Sequence, residues 1–125
     1  MTTSTKPLAF IIEDDDKLAT IFSQAMIMAD FKVQTAMDGQ KAIAALADLD
    51  PAVVILDLHL PGANGDKILT HLRQDSRLQK TVVILTTADS LLDDNLREQS
   101  DFVLLKPVSF SQLRDLGIRL RTTFK

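Results

Sequence analysis

The chain of 125 residues contains no cysteine. That excludes disulfides and thiolate chemistry and suits a reducing compartment. No apolar run approaches the roughly 20 residues of a membrane-spanning helix. The opening stretch MTTSTKP lacks the apolar centre of a signal peptide and reads as a flexible tail over residues 1–7. A surplus of basic residues is missing too: the formal net charge is −3. Proteins that bind nucleic acid directly usually show the opposite balance, so no direct nucleic-acid partner is expected. Repeats and low-complexity linkers are absent, which leaves one domain over residues 8–125. Together these absences describe a soluble, cytoplasmic domain without membrane contact.

What is present is a core. Apolar residues make up 46% of the chain and charged residues 25%, ordinary proportions for a globular domain. Three continuous apolar runs, LAFIIE at Leu8–Glu13, AVVILD ending at Asp57, and VVILTT from Val82, have the form of strands buried on both faces. FKVQTA at Phe31–Ala36 alternates apolar and polar, as a half-exposed edge strand does. FVLL at Phe102–Leu105 is a short fifth strand. Between them run helical patterns. Leu18, Ile21, Phe22, Ala25, Met26 and Ala29 share one face of a first helix. Ile43 and Leu46 point inward from a second, and Ile68, Leu69 and Leu72 from a third. DSLLDDNLREQ is a weakly amphipathic fourth, and Phe110, Leu113, Gly117, Leu120 and Phe124 mark a fifth. Strict alternation of strand and helix, with strands apolar on both faces, predicts a doubly wound parallel α/β sheet. Right-handed crossovers and two edge-type strands select the order 2-1-3-4-5, a flavodoxin-like (βα)5 fold.

In such sheets the functional crevice lies beyond the carboxyl ends of the strands. The polar residues falling there are Glu13, Asp14, Asp15 and Asp16 after the first strand, and Asp57 at the end of the third. Thr86 and Thr87 close the fourth strand, and Lys106 with Pro107 follows the fifth. Each has an ordinary structural role available. Asp15 and Asp16 are best read as favouring a helix N-terminus. Asp57 could cap a turn, Thr86 could simply suit a strand, and Lys106 could be a solvated lysine. The conjunction carries more. Clustered carboxylates repel and raise one another's pKa, and a hard divalent cation such as Mg²⁺ relieves that repulsion. A carboxylate, a cation, a hydroxyl and a lysine together suit phosphoryl transfer onto a carboxylate.

IIEDDD, VVILDLHLPGANG, VVILTTA and LLKPVSF, in that order and on those strands, resemble the receiver domain of bacterial two-component response regulators over essentially the whole chain. The resemblance implies a phosphoacceptor signalling domain rather than an enzyme, with only self-phosphotransfer and autodephosphorylation. Position by position, Asp57 is similar to the phosphorylated aspartate and Asp14 to the direct metal-binding acid. Glu13 matches the second acid, and the backbone carbonyl of His59 the remaining protein ligand for Mg²⁺, with Mn²⁺ a substitute. Lys106 matches the lysine that contacts the phosphoryl group, before a proline whose peptide is often cis in the family. Thr86 is similar to the switch hydroxyl, with Thr87 in the following small-residue slot and as the fallback. The His59 side chain is expected at the pocket mouth with a modulatory role, and His71 on a helix surface or partly in the core. One departure stands out. Receivers commonly carry Tyr or Phe three residues before the lysine, whereas this chain has Val103 there and no tyrosine at all.

The implied phosphoryl donor is a sensor histidine kinase or a histidine phosphotransfer protein. The downstream target is unspecified, and the helix 4–strand 5–helix 5 face offers a route to a homodimer. No output domain follows Lys125, so the chain reads as a stand-alone receiver or a piece of a longer protein. Three alternatives are weaker. A haloacid-dehalogenase-type phosphatase also uses a strand-end aspartate but has the form DxD, where this chain has Asp57-Leu58-His59. A phosphorylation-independent, receiver-like interaction module commonly loses an acid or the lysine, and both are kept here. A phosphate-binding nucleotide fold would need a Gly/Ser/Thr loop after the first strand, where EDDDK has the wrong charge.

Overall fold

A computed structural model describes residues 6–124. Five strands and five helices alternate: β1 (Leu8–Ile12), α1 (Asp16–Met28), β2 (Lys32–Ala36), α2 (Gly39–Leu46), β3 (Val53–Asp57), α3 (Gly65–Gln74), β4 (Val82–Thr87), α4 (Asp94–Gln99), β5 (Phe102–Leu105) and α5 (Phe110–Arg121). A short 3₁₀ turn at Ser76–Leu78 precedes β4. The sheet is parallel, in the order β2-β1-β3-β4-β5, as the sequence pattern implies. The first five residues of the expected tail lie outside the described residues. Pro7 accepts the Lys32 N–H at 3.0 Å, and Lys6 pairs with Asp30 at 3.2 Å.

Successive strand side chains face opposite sides of the sheet, and the two sides bury separate cores. Phe10, Ile12, Val54, Leu56, Val83 and Leu85 pack under α2 and α3, against Leu46, Ile68 and Leu72. Ala9, Ile11, Val53, Ile55 and Ile84 pack under α1 and α5, against Phe22, Met26 and Leu113. Coverage on both faces is why β1, β3 and β4 read as unbroken apolar runs. Glycine permits two close approaches. A Cβ on Gly65 would lie 2.6 Å from Leu58 Cα, so the first turn of α3 can rest on the chain just after β3. A Cβ on Gly117 would lie 2.9 Å from Ala29 Cβ, at the seam of α1 and α5.

Three details depart from the pattern. Ile21 points outward, 37% exposed, while Ala19 takes the buried place beside Phe22. Ile43 is only partly buried against the core. The fourth helix begins at Asp94, five residues later than the pattern suggests. Asp89 accepts the Leu91 N–H at 2.9 Å and Asp93 accepts the Asn95 N–H at 2.7 Å. The first bond holds the chain in a local turn and the second makes Asp93 the helix cap, two ways an aspartate competes with helix continuation.

Candidate functional site

Counting by two along the strands places the polar residues. Asp57 continues the Val53–Ile55 face of β3, Thr86 continues from Ile84, Glu13 from Ile11 and Lys106 from Leu104. All four therefore belong to the side of the sheet covered by α1 and α5. Asp57 and Thr86 are register partners across β3 and β4. Thr87 belongs to the opposite side, with Leu85.

The structure brings Glu13, Asp57 and Lys106 into direct contact. Lys106 Nζ lies 3.3 Å from Asp57 Oδ2 and 3.5 Å from Glu13 Oε1. Both acids are almost fully buried, Glu13 at 1% and Asp57 at 2% exposed. Asp57 Oδ1 accepts the His59 N–H at 3.1 Å, and Glu13 Oε2 accepts the Asp15 N–H at 3.1 Å. Two buried oxygens have no hydrogen-bond partner among the described residues, Glu13 Oε1 and Thr86 Oγ1. A buried polar atom without a hydrogen bond is costly; Glu13 Oε1 keeps the ionic contact with Lys106, whereas Thr86 Oγ1 has no polar partner at all among the described residues. Burial pushes the Glu13 carboxyl up to about 7, and the nearby Asp57 charge adds to that rise. The Asp15 N–H and the Lys106 ammonium oppose it without cancelling it. Burial alone would lower the Lys106 pKa, but the charges of Asp57 and Glu13 outweigh it and raise the pKa above the ordinary lysine value.

Asp14 is exposed. Its carboxylate nevertheless comes together with those of Glu13 and Asp57, each offering one oxygen within 4.8 Å of the others. Three hard carboxylate oxygens brought this close fit a cation such as Mg²⁺. Asp15 is not part of that group and caps α1 by accepting the Leu18 N–H at 3.1 Å. Asp16 stands in the first helical turn. His59 is exposed at the rim, and His71 is half-buried on α3. The Lys106–Pro107 peptide is cis.

Thr87 is buried and, unlike Thr86, its hydroxyl has a partner. Its hydroxyl accepts the Asp89 N–H at 3.0 Å, and its carbonyl accepts the Lys106 N–H at 2.8 Å. The Thr86 carbonyl accepts the Leu58 N–H at 3.1 Å. The end of β4 thus ties the loops that follow β3 and β5 to each other. Sequence reasoning found Thr87 only as a substitute for Thr86. Its chain-positioning bonds could have been suspected from Thr-x-Asp at a strand end, where short polar side chains favour turns.

Fold and site together define a doubly wound α/β domain with acids, a hydroxyl and a lysine gathered at its strand ends. Residues 9–116 match the family model described as the response regulator receiver domain. The chain is 32% identical, over 86% of its length and 46% of the relative's, to the DNA-binding dual master transcriptional regulator RpaA of Synechocystis. It is 34% identical, over 82% of its length and 46% of the relative's, to the transcriptional regulatory protein HprR of Escherichia coli. The chain thus spans a little under half the length of these relatives. A Francisella response regulator receiver domain superposes with a TM-score of 0.81 at 25% identity, covering 95% of this chain and 99% of that one. A CheY-like receiver domain from Methylobacillus flagellatus gives 0.83 at 24% identity, covering 93% and 99%. The chain belongs to the response regulator receiver domain family, the signalling domains of two-component systems. Receiver domains bind Mg²⁺ through acidic residues, and the acidic cluster is present here. Among the described residues no helix is long and apolar enough to cross a membrane.

Proposed function

We propose that this chain accepts a phosphoryl group on Asp57 from a phosphohistidine of a sensor histidine kinase or histidine phosphotransfer protein, in the cytoplasm. The observation that carries the reading is the buried Asp57 carboxylate at the end of β3, 3.3 Å from Lys106 Nζ and clustered with two further acids. An Asp57 oxygen attacks phosphorus, the P–N bond to the donor imidazole breaks, and the imidazole leaves with its electron pair and takes up a proton. Lys106 lies where it can balance the incoming phosphoryl charge. Glu13, Asp14, Asp57 and the His59 carbonyl would hold Mg²⁺, which would supply positive charge to offset the acids and the incoming phosphoryl group. Mn²⁺ is a reasonable replacement. The unpartnered Thr86 hydroxyl is free to donate to a phosphoryl oxygen, and that bond would draw the end of β4 toward Asp57. The same residues account for self-phosphotransfer from a small-molecule donor and for slow self-dephosphorylation, without turnover of any other substrate.

Intact mass after incubation with acetyl phosphate and Mg²⁺ tests this. One phosphoryl mass is expected, abolished by EDTA and by Asp57→Asn. Undiminished labelling of that variant would refute the assignment.

A further inference from the structure

Helix α4 fully buries none of its six residues, and Leu96, its one apolar side chain, packs partly buried against the core, so contacts near its ends weigh heavily in where it lies. Its carboxyl end is gripped by Arg73 of α3, a helix seated by the fully buried Ile68, Leu69 and Leu72. Arg73 Nε donates to the Gln99 carbonyl at 2.7 Å, and one terminal nitrogen donates to the Asp101 carboxylate at 3.0 Å. The other terminal nitrogen donates to the Gln79 and Thr81 carbonyls at 3.1 and 3.0 Å. The same Asp101 oxygen accepts the Val83 N–H at 2.8 Å, and Asp101 N–H donates back to the Val83 carbonyl at 2.9 Å. One guanidinium therefore joins α3, the turn before β4, the end of α4 and the start of β5. The amino end of α4 is held differently. Leu92 inserts just before it, residues 88–91 are exposed, and the Thr87–Asp89 bond is the link back to the strand. The loop that leads to this end leaves β4 directly after Thr86 and Thr87, and the Thr86 hydroxyl, on the other side of the sheet, is unpartnered.

We propose that the Arg73–Asp101 clasp is the fixed pivot of α4: it holds the carboxyl end of the helix in place while occupation of the Asp57 site moves the amino end. This rests on the phosphoryl-acceptor reading for the source of the motion, but the clasp itself is a property of the unliganded chain. Arginine suits the task because its planar fork reaches several carbonyls and a carboxylate at once. Arg73 is a positioning residue that touches neither the acids nor Lys106.

Amide hydrogen exchange resolved by NMR, with and without beryllofluoride and Mg²⁺, tests the pivot. In the wild-type chain beryllofluoride is expected to change exchange across residues 87–96 and to leave Val83 and Asp101 unchanged within about twofold. Arg73→Met is expected to speed exchange at Ser100 and Asp101 by about tenfold without ligand. In that variant the beryllofluoride response is expected to run on through residue 101. Amides of β1 and β3 report whether the variant is folded. Should Arg73→Met unfold, Asp101→Asn decides, because it keeps an acceptor for Val83 and weakens only the charged bond, so faster exchange at Gln99 and Ser100 is expected. Unaltered exchange at residues 99–101 in the folded variant, or equal release of Asp101 and residues 87–96 by beryllofluoride in wild type, would overturn the pivot. A wild-type chain that ignores beryllofluoride everywhere would instead overturn the phosphoryl-site reading and the ligand-driven swing, leaving the Arg73→Met comparison to decide the clasp alone.

Discussion

Glu13 is the most strained charge in the site. Its carboxyl is pushed up to about 7 by burial, from an ordinary 4.5. A carboxylate with a raised pKa binds more protons folded than unfolded, so stability falls as pH rises between those two values and stays reduced above them. Glu13→Gln imitates the protonated form at every pH. Without divalent cations it should stabilise the chain by roughly 1–3 kcal/mol at pH 8 and by much less at pH 5, as urea unfolding at the two pH values would show. The same variant should bind Mg²⁺ more weakly. Asp14 and Asp16 supply a paired test of the acidic run. Asp14 shares the three-oxygen cluster and Asp16 does not. Asp14→Ala should therefore weaken Mg²⁺ binding by about tenfold or more and Asp16→Ala hardly at all, measured by titration calorimetry. Equal effects would show that the wrong acid has been matched to the metal.

Among the elements, α2 shows how much stability rests on a remote side chain. The helix is eight residues long and has no basic residue in its last turn. Arg77, on the 3₁₀ turn before β4, donates to the Leu46 and Leu49 carbonyls, each at 2.5 Å. Leu46 is the last residue of α2 and Leu49 lies just beyond it; at a helix end acceptors lack partners within the helix and a positive charge is favourable. Arg77→Ala should cost about 1–2 kcal/mol in chemical denaturation, and Arg77→Lys should recover part of it. Its ion pairs with Asp50 and Asp75, at 3.6 and 3.7 Å and largely solvated, add little. The late start of α4 is instead local: two aspartates bond to nearby N–H groups and delay the helix that Leu92 and Leu96 suggest.

Over the whole molecule, the site and the outer surface are joined through β4 and β5. Val103 packs against the core on the α3 side, and Phe102 is 37% exposed at the sheet edge. Valine is stiff at its first side-chain torsion and too short to exchange an exposed pose for a buried one. Activation should then travel through the loop after β4 and the amino end of α4. Structures with and without beryllofluoride should show little change in the burial of residue 103. A large inward movement of Val103 or Phe102 would contradict this route.

Much of this organisation is set by local chemistry alone. Three apolar runs dictate strands covered on both faces, the helical spacing between them dictates crossovers, and an interruption by Asp57, Thr86 or Lys106 marks where each strand leaves the core. Side-chain alternation with a period of two even places Asp57, Thr86 and Lys106 on one side of the sheet. What the tertiary structure alone decides depends on neighbours far along the chain. The burial of Glu13 beneath Lys106, the missing partner of Thr86 Oγ1, the outward turn of Ile21 and the grips of Arg73 and Arg77 are of this kind. Periodicity states which way a side chain faces but not what covers it. The two arginines bond to backbone carbonyls up to 26 and 31 residues away. Every residue type carries such a carbonyl, so no spacing of side chains announces the contact, and only the folded chain brings donor and acceptor together.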